Sequence, residues 1–525
     1  MRRIGIDVGG TNTDAVLIED SRVTAAVKVP TTADVSGGIV RALAELVISV
    51  GSPGSIDAVM IGTTHFTNAV VERRDLAPVA AVRIGLPASA SLPPFCDWPD
   101  DLAALARGAV YMLEGGHEYD GRPIVAFDRT GMRRAAADIR ARGLRTIAVT
   151  AVFSPLTDEC ERAAADILRE VWPDADVTRS HDLGRIGLLE RENATLLNAS
   201  LIDLARRTTR AFTAALAASG IQAPLYLTQN DGTVMRADVA EAFPVFSFAS
   251  GPTNSMRGAA FLSGLRDAMV VDVGGTTADI GRLVRGFPAE ANASVRVGGV
   301  RTLFRMPDLL SIGLGGGSIV DAAAGTIGPK SVGHRIAEEA LVFGGNRLTA
   351  TDVAVAAGSA DIGDRGRVAT LDAALVAACR ARIHSMLETN IDRMKIDAAP
   401  VPLVPVGGAA FLVPDALPGI SEVVVVPHRA VANAIGAAIA QVSGDVDQIF
   451  SGCGREAAIE RATALARERA VGAGADPAAL TIIDVDDLPL AYLPGDARRV
   501  RVRVVGDTRP TASQRPAQPP RESSE

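Results

Sequence analysis

Aromatic residues make up only 4% of this 525-residue chain, with 14 Phe, four Tyr and two Trp. Its core must therefore be built from small aliphatic side chains. Cysteine is scarcer still, and Cys96, Cys160, Cys379 and Cys453 show no CxxC spacing. That excludes a disulfide framework, a zinc ribbon and a chain-internal iron–sulfur site, and leaves the four thiols as small buried hydrophobes. His334 and His428 stand alone, without a second ligand at metal spacing. No long like-charge run occurs, and 53 basic against 61 acidic residues give a net charge of −8. Nucleic acid and anionic membrane surfaces are thereby disfavoured as partners, and a small ligand is favoured. No uncharged apolar span of about 18 residues exists, so no transmembrane helix is expected. The opening "MRRIGIDVGG" breaks at Asp7 before any signal-peptide core could form, which predicts a cytoplasmic location.

What the chain does have is Ala, Gly and Val in an α/β rhythm. A hydrophobic fraction of 48% can bury a large core, and the length suits two to four domains. Runs such as "TIAVTAVF" (146–153), "PLYLTQ" (224–229), "MVVDV" (269–273), "PLVPV" (402–406) and "EVVVVP" (422–427) read as strands covered on both faces. Residues 35–50, 190–220 and 428–443 have helical spacing, the second stopped by Gly220. Residues 87–123, rich in Pro and Gly, predict an inserted lobe or irregular excursion rather than a core strand. Near the C-terminus the sequence predicts one helix and one closing strand, then a disordered tail of Pro, Ser and Arg over 506–525.

One octapeptide occurs twice. Residues 7–14 read "DVGGTNTD" and residues 272–279 read "DVGGTTAD", each between two strand-like segments. A β-hairpin turn of this composition offers unobstructed backbone N–H groups and hydroxyls, which is a phosphate cradle. Gly9, Gly10, Thr11, Asn12 and Thr13 form the first candidate loop, and Gly274, Gly275, Thr276 and Thr277 the second. Asp7 and Asp272, at the strand ends, are hard oxygen ligands suited to Mg²⁺ beside a polyphosphate. Two such hairpins facing one another would grip a triphosphate from both sides. Gly407 and Gly408, after the strand "LVPV", add a strand–GG–helix junction at which a base or ribose could approach the backbone. The order hairpin, hairpin, strand–GG–helix resembles the actin-like ATPase superfamily, which implies an α/β fold of two ribonuclease-H-like domains around a nucleotide cleft, with ATP and Mg²⁺ as cofactors.

More of the chain resembles one branch, the hydantoinase A and 5-oxoprolinase family. The likeness runs through "IGIDVGGTNTDAVLIE", "VKVPTT", "IGTTHFTNAVVER", "LLERENATLLNASL", "FASGPTNSMRGA", "VVDVGGTTADIG", "SIGLGGGSIV" and "LTATDVAVAAG". It implies ATP-driven opening of a small cyclic amide, such as a hydantoin, 5-oxoproline or other lactam, together with a second subunit. It also implies a hydantoinase/oxoprolinase N-terminal domain at 1–180, an ATPase domain at 181–455 and a helix–strand closing segment at 456–505. The family commonly carries His before GTT, whereas this chain has Ile61-Gly62-Thr63-Thr64 with His65 following, and "GPTNSM" replaces the usual "GPAGGV".

The remaining candidates concern the substrate. Thr63, Thr64, His65 and Asn68 lie at a strand end before a helix, where they could bind a carbonyl or relay a proton; a capped helix start with His65 packed is the bland alternative. Gly315 and Gly316 in "GLGGGS" offer backbone N–H groups or simply a tight turn. Ser250, Gly251 and Pro252 would begin a helix whose positive end suits an anion. Arg191, Glu192 and Asn193 read as a solvated or salt-linked helix face. Ketone carboxylation and a nucleotide-switched interaction protein are the competing readings, and the cysteine spacing gives no support to a cluster-bearing activator.

Overall fold

The computed structural model describes residues 1–509 except 10–11, 32–34, 51–55, 185–186, 292–294, 305 and 492–494. Two of its sheets repeat one topology. In the first, Arg22–Pro30, Asn12–Glu19 and Arg2–Val8 pair antiparallel, and Ala58–Thr63 and then Leu225–Thr228 continue parallel to Arg2–Val8. In the second, Phe287–Pro288, Ala278–Val284 and Ala268–Val273 pair antiparallel, followed by the parallel strands Val401–Val406 and Ile420–Val423. This is the ribonuclease-H-like order in duplicate, an α/β fold with two such domains. The strands expected over 224–229, 269–273 and 402–406 are present as Leu225–Thr228, Ala268–Val273 and Val401–Val406, whereas of the strand expected over 422–427 only the first two residues fall in one, Ile420–Val423. Ile4, Ile6, Val271 and Val273 are fully or nearly fully buried, as strands covered on both faces require.

The first sheet also draws in the other end of the chain. Val234–Arg236, Val442–Phe450, Arg498–Gly506 and Thr481–Pro489 extend it to nine strands, so it crosses the sequence boundaries at 180 and 455. Thr481–Pro489 is a strand that the sequence hid, because Asp484, Asp486 and Asp487 interrupt its alternation. Those charges are tolerated on an edge strand that faces Arg498 and Arg501, with Asp487–Arg498 at 2.8 Å and Asp484–Arg501 at 2.7 Å. The order of the C-terminus extends past the expected start of the tail at 506: Gly506 closes a strand and Thr508 bridges to Ala475. Residues 510–525 of the expected tail lie outside the described residues.

A third, parallel sheet of Arg107–Glu114, Val79–Leu86, Thr146–Ala151 and Asp176–Arg179 forms a separate lobe with the helices Arg129–Ala141 and Glu159–Val171. The excursion expected over 87–123 is thus partly regular, since Asp100–Ala106 is a helix that runs straight into the edge strand Arg107–Glu114. That strand has one neighbour, so half-exposed residues are permitted along it. The long helix Leu188–Ala218 joins this lobe to the first sheet. Arg191, Glu192 and Asn193 on it are buried, which corrects the expectation of a solvated face. Arg83 holds Glu192 in an ion pair, and Trp98 Nε1 donates to Asn193 at 2.7 Å.

The two duplicated halves meet where helix Ser250–Ser263 crosses helix Ala432–Ile439. Met256 and Ala259 pack with Val270 and Val404 of the second sheet, while Ala434 and Ala438 pack with Val16 and Ile18 of the first. Glycines allow the crossing: a Cβ on Gly258 would overlap the carbonyl of Ala432, and one on Gly436 the carbonyl of Asn254. Gly436→Val should therefore lower the melting temperature by several degrees, whereas Gly408→Val, with no atom within 4 Å of its Cβ, should leave it unchanged. Scanning calorimetry of the two variants checks this, and an unshifted Gly436→Val would show that the crossing can open at no cost.

Candidate functional site

Each hairpin turn closes in the same way. Gly9 N donates to Asn12 O at 3.0 Å, and Gly274 N donates to Thr277 O at 2.9 Å. Consequently the first and eighth residues of each octapeptide are cross-strand partners: Asp7 faces Asp14, and Asp272 faces Asp279. A carboxylate pair thus stands at the end of each sheet. The eighth-position aspartates were not singled out by sequence reasoning, although their recurrence at one register position was the available signal. Gly10 and Thr11 lie outside the described residues.

Around the first pair, Lys28 Nζ lies 2.6 Å from Asp14, and Asn433 Nδ2 donates to Asp7 Oδ2 at 2.7 Å. Asp7 Oδ1 is buried without a hydrogen-bond partner. Gly62 is required here, because its Cβ would lie 2.8 Å from Asp7 Oδ1 and 2.5 Å from Asn254 Nδ2. Thr63 pairs with Val8, and its carbonyl accepts from Ser250 Oγ at 3.4 Å, which brings the helix start at Ser250 and Gly251 against Thr63 and Thr64. His65 opens the helix His65–Val71 and donates its N–H to Thr63 Oγ1 at 3.2 Å, while Asn68 Nδ2 donates to Thr64 Oγ1 at 3.2 Å. Burial, with Arg74 nearby, holds the half-buried His65 ring below its usual pKa. Asn12 stands at the strand start, whereas Thr13 is buried and its hydroxyl lies 3.2 Å from that of Thr31.

Around the second pair, Ser255 Oγ donates to Asp272 at 2.5 Å, and Ser311 Oγ donates to Asp279. Thr276 and Thr277 are exposed at the turn. Gly315 and Gly316 join this cluster rather than the Thr63–Thr64 group. Gly316 N donates to Gly274 O at 3.0 Å, Gly317 N to Gly275 O at 2.8 Å, and Gly315 N to Ser318 Oγ at 2.8 Å. Gly407 has φ +90° and leaves no room for a Cβ against Asp272 Oδ1, while Gly408 opens onto free space. The junction is followed by a short 3-10 turn, Ala410–Leu412, instead of a longer helix. Asn433 and Ser255 escaped sequence reasoning because they lie on helices whose pattern encodes only packing.

Burial pushes the Asp7 carboxyl up to about 7, with Asp14 and Asp272 adding repulsion. Burial likewise pushes Asp272 up to about 6, with Asp279 adding to it against the Ser255 hydrogen bond. Such carboxylates are short of a cation. Among the described residues no three His, Cys, Asp or Glu side chains gather into a metal-binding group. The hard, partly unpartnered oxygens of Asp7 and Asp272 fit Mg²⁺ with its other positions taken by water and phosphate oxygen.

The model of the hydantoinase/oxoprolinase N-terminal region matches residues 3–172, and that of hydantoinase/oxoprolinase matches residues 191–364. The chain belongs to the hydantoinase/oxoprolinase family. It is 26% identical over 436 residues to the caprolactamase subunit alpha of Pseudomonas jessenii, covering 75% of this chain and 60% of that protein. It is also 26% identical over 389 residues to the acetophenone carboxylase gamma subunit of Aromatoleum aromaticum, covering 68% and 53%. The chain spans only 53% to 60% of the length of these curated relatives. Among solved structures, the ATP-dependent caprolactamase from P. jessenii superposes with TM-score 0.76 at 18% identity, covering 96% of this chain and 87% of that one. Nucleotide-free acetone carboxylase superposes with TM-score 0.69 at 18% identity, covering 99% and 90%. Within this family fold, no helix among the described residues is long and apolar enough to cross a membrane.

The raised carboxyl of Asp7 has a thermodynamic consequence. A carboxyl whose folded pKa is raised binds protons more tightly when folded, so it favours folding at low pH. That contribution is lost as pH rises from 3.8 through about 7. In a chelator at pH 8, Asp7→Asn should therefore melt above the wild type, and the difference should vanish toward pH 4. A lower melting temperature for the variant at pH 8 would show that the ionised Asp7 is already stabilised by the protein.

Proposed function

We propose that this chain is the ATP-using subunit of an enzyme that opens a small cyclic amide by phosphorylating its carbonyl oxygen. The observation that carries the reading is the duplicated carboxylate hairpin, with Asp7 buried at one sheet end, Asp272 half-buried at the other, and the two close enough to repel. The ATP dependence of the caprolactamase relative supports it.

Asp7 and Asp272 would hold Mg²⁺ from opposite halves, and that ion would supply charge neutralisation for a polyphosphate. Gly9, Gly10, Thr11, Asn12 and Thr13 on one side and Gly274, Gly275, Thr276 and Thr277 on the other would receive phosphate oxygens. Gly407 and Gly408 leave the backbone bare for the ribose or base, with Gly408 as the open position. An amide carbonyl is a poor electrophile. When its oxygen attacks the terminal phosphorus and ADP departs, the carbon becomes open to water; water adds there, the ring C–N bond breaks with the nitrogen taking a proton to leave an acyl phosphate, and a second water attacking its carbonyl carbon releases phosphate and the ring-opened acid. The chain's part is positioning and electrostatic stabilisation. Thr63, Thr64, His65 and Asn68, beside the first hairpin and the Ser250 helix start, are the groups we assign to the carbonyl end, with neutral His65 available to take a proton.

A second reading, ATP-dependent carboxylation of a ketone, uses the same hairpins and draws on the acetophenone carboxylase relative and the acetone carboxylase fold. Both curated relatives are named as subunits and are longer than this chain, which supports a partner subunit of hydantoinase type.

Asp7→Asn and Asp272→Asn should each reduce ATP turnover by about a hundredfold or more without unfolding the chain. Wild-type turnover in either variant would remove that residue from the clamp. With ¹⁸O in the scissile carbonyl, the label should emerge in inorganic phosphate. Label retained wholly in the acid would mean that water attacked an unphosphorylated amide, and carboxylated ketone as product would favour the second reading.

A further inference from the structure

Only three of the 53 basic residues in this chain are lysines, Lys28, Lys330 and Lys395, and of these only Lys28 forms an ion pair among the described residues. Elsewhere the chain holds its acids with arginine, as Arg83 holds Glu192 and Arg498 holds Asp487. The two cations differ in kind. A guanidinium locks a carboxylate through two parallel hydrogen bonds, whereas an ammonium is a compact charge on a flexible stem that changes partners readily. The exception falls at the first carboxylate pair.

Lys28 lies on Arg22–Pro30, the edge strand beside the first hairpin, directly across from Asp14. Its backbone is fixed next to the hairpin turn: Val29 pairs with Thr13, and Thr31 Oγ1 donates to Gly9 O at 2.8 Å. Only the side chain has room to move. Nζ lies 2.6 Å and 2.8 Å from the two oxygens of Asp14, and the lysine side chain is 36% exposed against 4% for the aspartate. The ammonium also acts on both halves of the protein. Burial raises the carboxyls of Asp7, Asp14 and Asp272, and at each of the three Lys28 opposes it. Among the described residues no other Lys or Arg forms an ion pair with any of these acids.

Lys28 and a divalent cation would therefore answer the same charges. A dication held by Asp7 and Asp272 repels an ammonium that stands beside both, and it takes over as counter-ion to Asp14 as well. The displaced ammonium then needs an anion within reach of a stem whose root is fixed beside the hairpin turn. ATP supplies one that ADP lacks, the terminal phosphate, whose three outer oxygens carry the charge of the phosphoryl group as it transfers.

We propose that Lys28 is an exchangeable cation, which holds Asp14 until metal and ATP enter and then leaves it to bind the terminal phosphate and neutralise the phosphoryl group during transfer. It forms no covalent bond and gives up no proton; one ion pair replaces another. The inference rests on the two hairpins being an ATP clamp, as read above, and is independent of which carbonyl compound receives the phosphoryl group.

Two binding measurements on the full-length chain test it. By calorimetry with Mg²⁺ present, Lys28→Met should weaken the non-hydrolysable imido analogue of ATP about tenfold or more, and ADP by less than about twofold. By electron paramagnetic resonance without nucleotide, the same variant should bind Mn²⁺ at least about threefold more tightly, because a competing cation is gone. A lysine that only braced the hairpin would do the opposite, since its loss would loosen the metal site. The single substitution leaves Asp14 buried without its cation, so Lys28→Met combined with Asp14→Asn keeps the nucleotide comparison available if Lys28→Met fails to fold. Equal loss for the ATP analogue and ADP, unchanged affinity for both, or weaker Mn²⁺ binding by Lys28→Met would overturn the inference and leave the clamp standing. Failure of the wild-type chain to bind either nucleotide would overturn the clamp and this inference together.

Discussion

The organisation of this protein depends on holding two pairs of carboxylates, one buried and one half-buried, at the ends of two sheets. Like charges in a low-dielectric site repel and lose hydration, and both effects push Asp7 and Asp272 toward protonation. The fold answers only part of that cost. Lys28 spans both oxygens of Asp14, Asn433 and Ser255 each satisfy one oxygen, and Asp7 Oδ1 is left bare. A site so under-compensated is suited to a cation and the anionic group it escorts.

Keeping those pairs aimed at each other is the work of backbone proximity. Helices Ser250–Ser263 and Ala432–Ile439 touch where Gly258 and Gly436 have no side chain, and each helix also carries a residue that bonds an acid, Ser255 and Asn433. Packing and electrostatics are thus coupled in one element: a change in the crossing moves the donors together with the helices. The same economy holds along helix Ser250–Ser263, whose successive residues Thr253 and Asn254 donate to the Asn230 carbonyl and to Thr228 Oγ1 at the end of the first sheet.

Much of the fold was legible in order rather than in extent. The repeated octapeptide located both hairpins because a turn needing Gly and Thr at fixed offsets leaves a local signature. Helices over 35–50 and 188–218 were visible from their apolar spacing. Edge elements were not: Arg107–Glu114 and Thr481–Pro489 are half-exposed and charge-bearing, so their sequences look like loops. Arg191, Glu192 and Asn193 looked solvated because burial of a charge depends on a distant partner, here Arg83 for Glu192, more than a hundred positions earlier in the chain.

The sequence by itself determined the two turns, the strand–glycine junction and the scarcity of aromatic and sulfur chemistry, since each is written in consecutive residues. Only the tertiary structure decided that Asp14 and Asp279 complete the pairs, that Gly315 and Gly316 brace the second hairpin, and that the two ends of the chain share one sheet. It alone decided that Asn230 and His181 line one cavity. Such facts arise from contacts between segments far apart in the chain, and a contact of that kind leaves no periodicity or spacing in either segment from which it could be read.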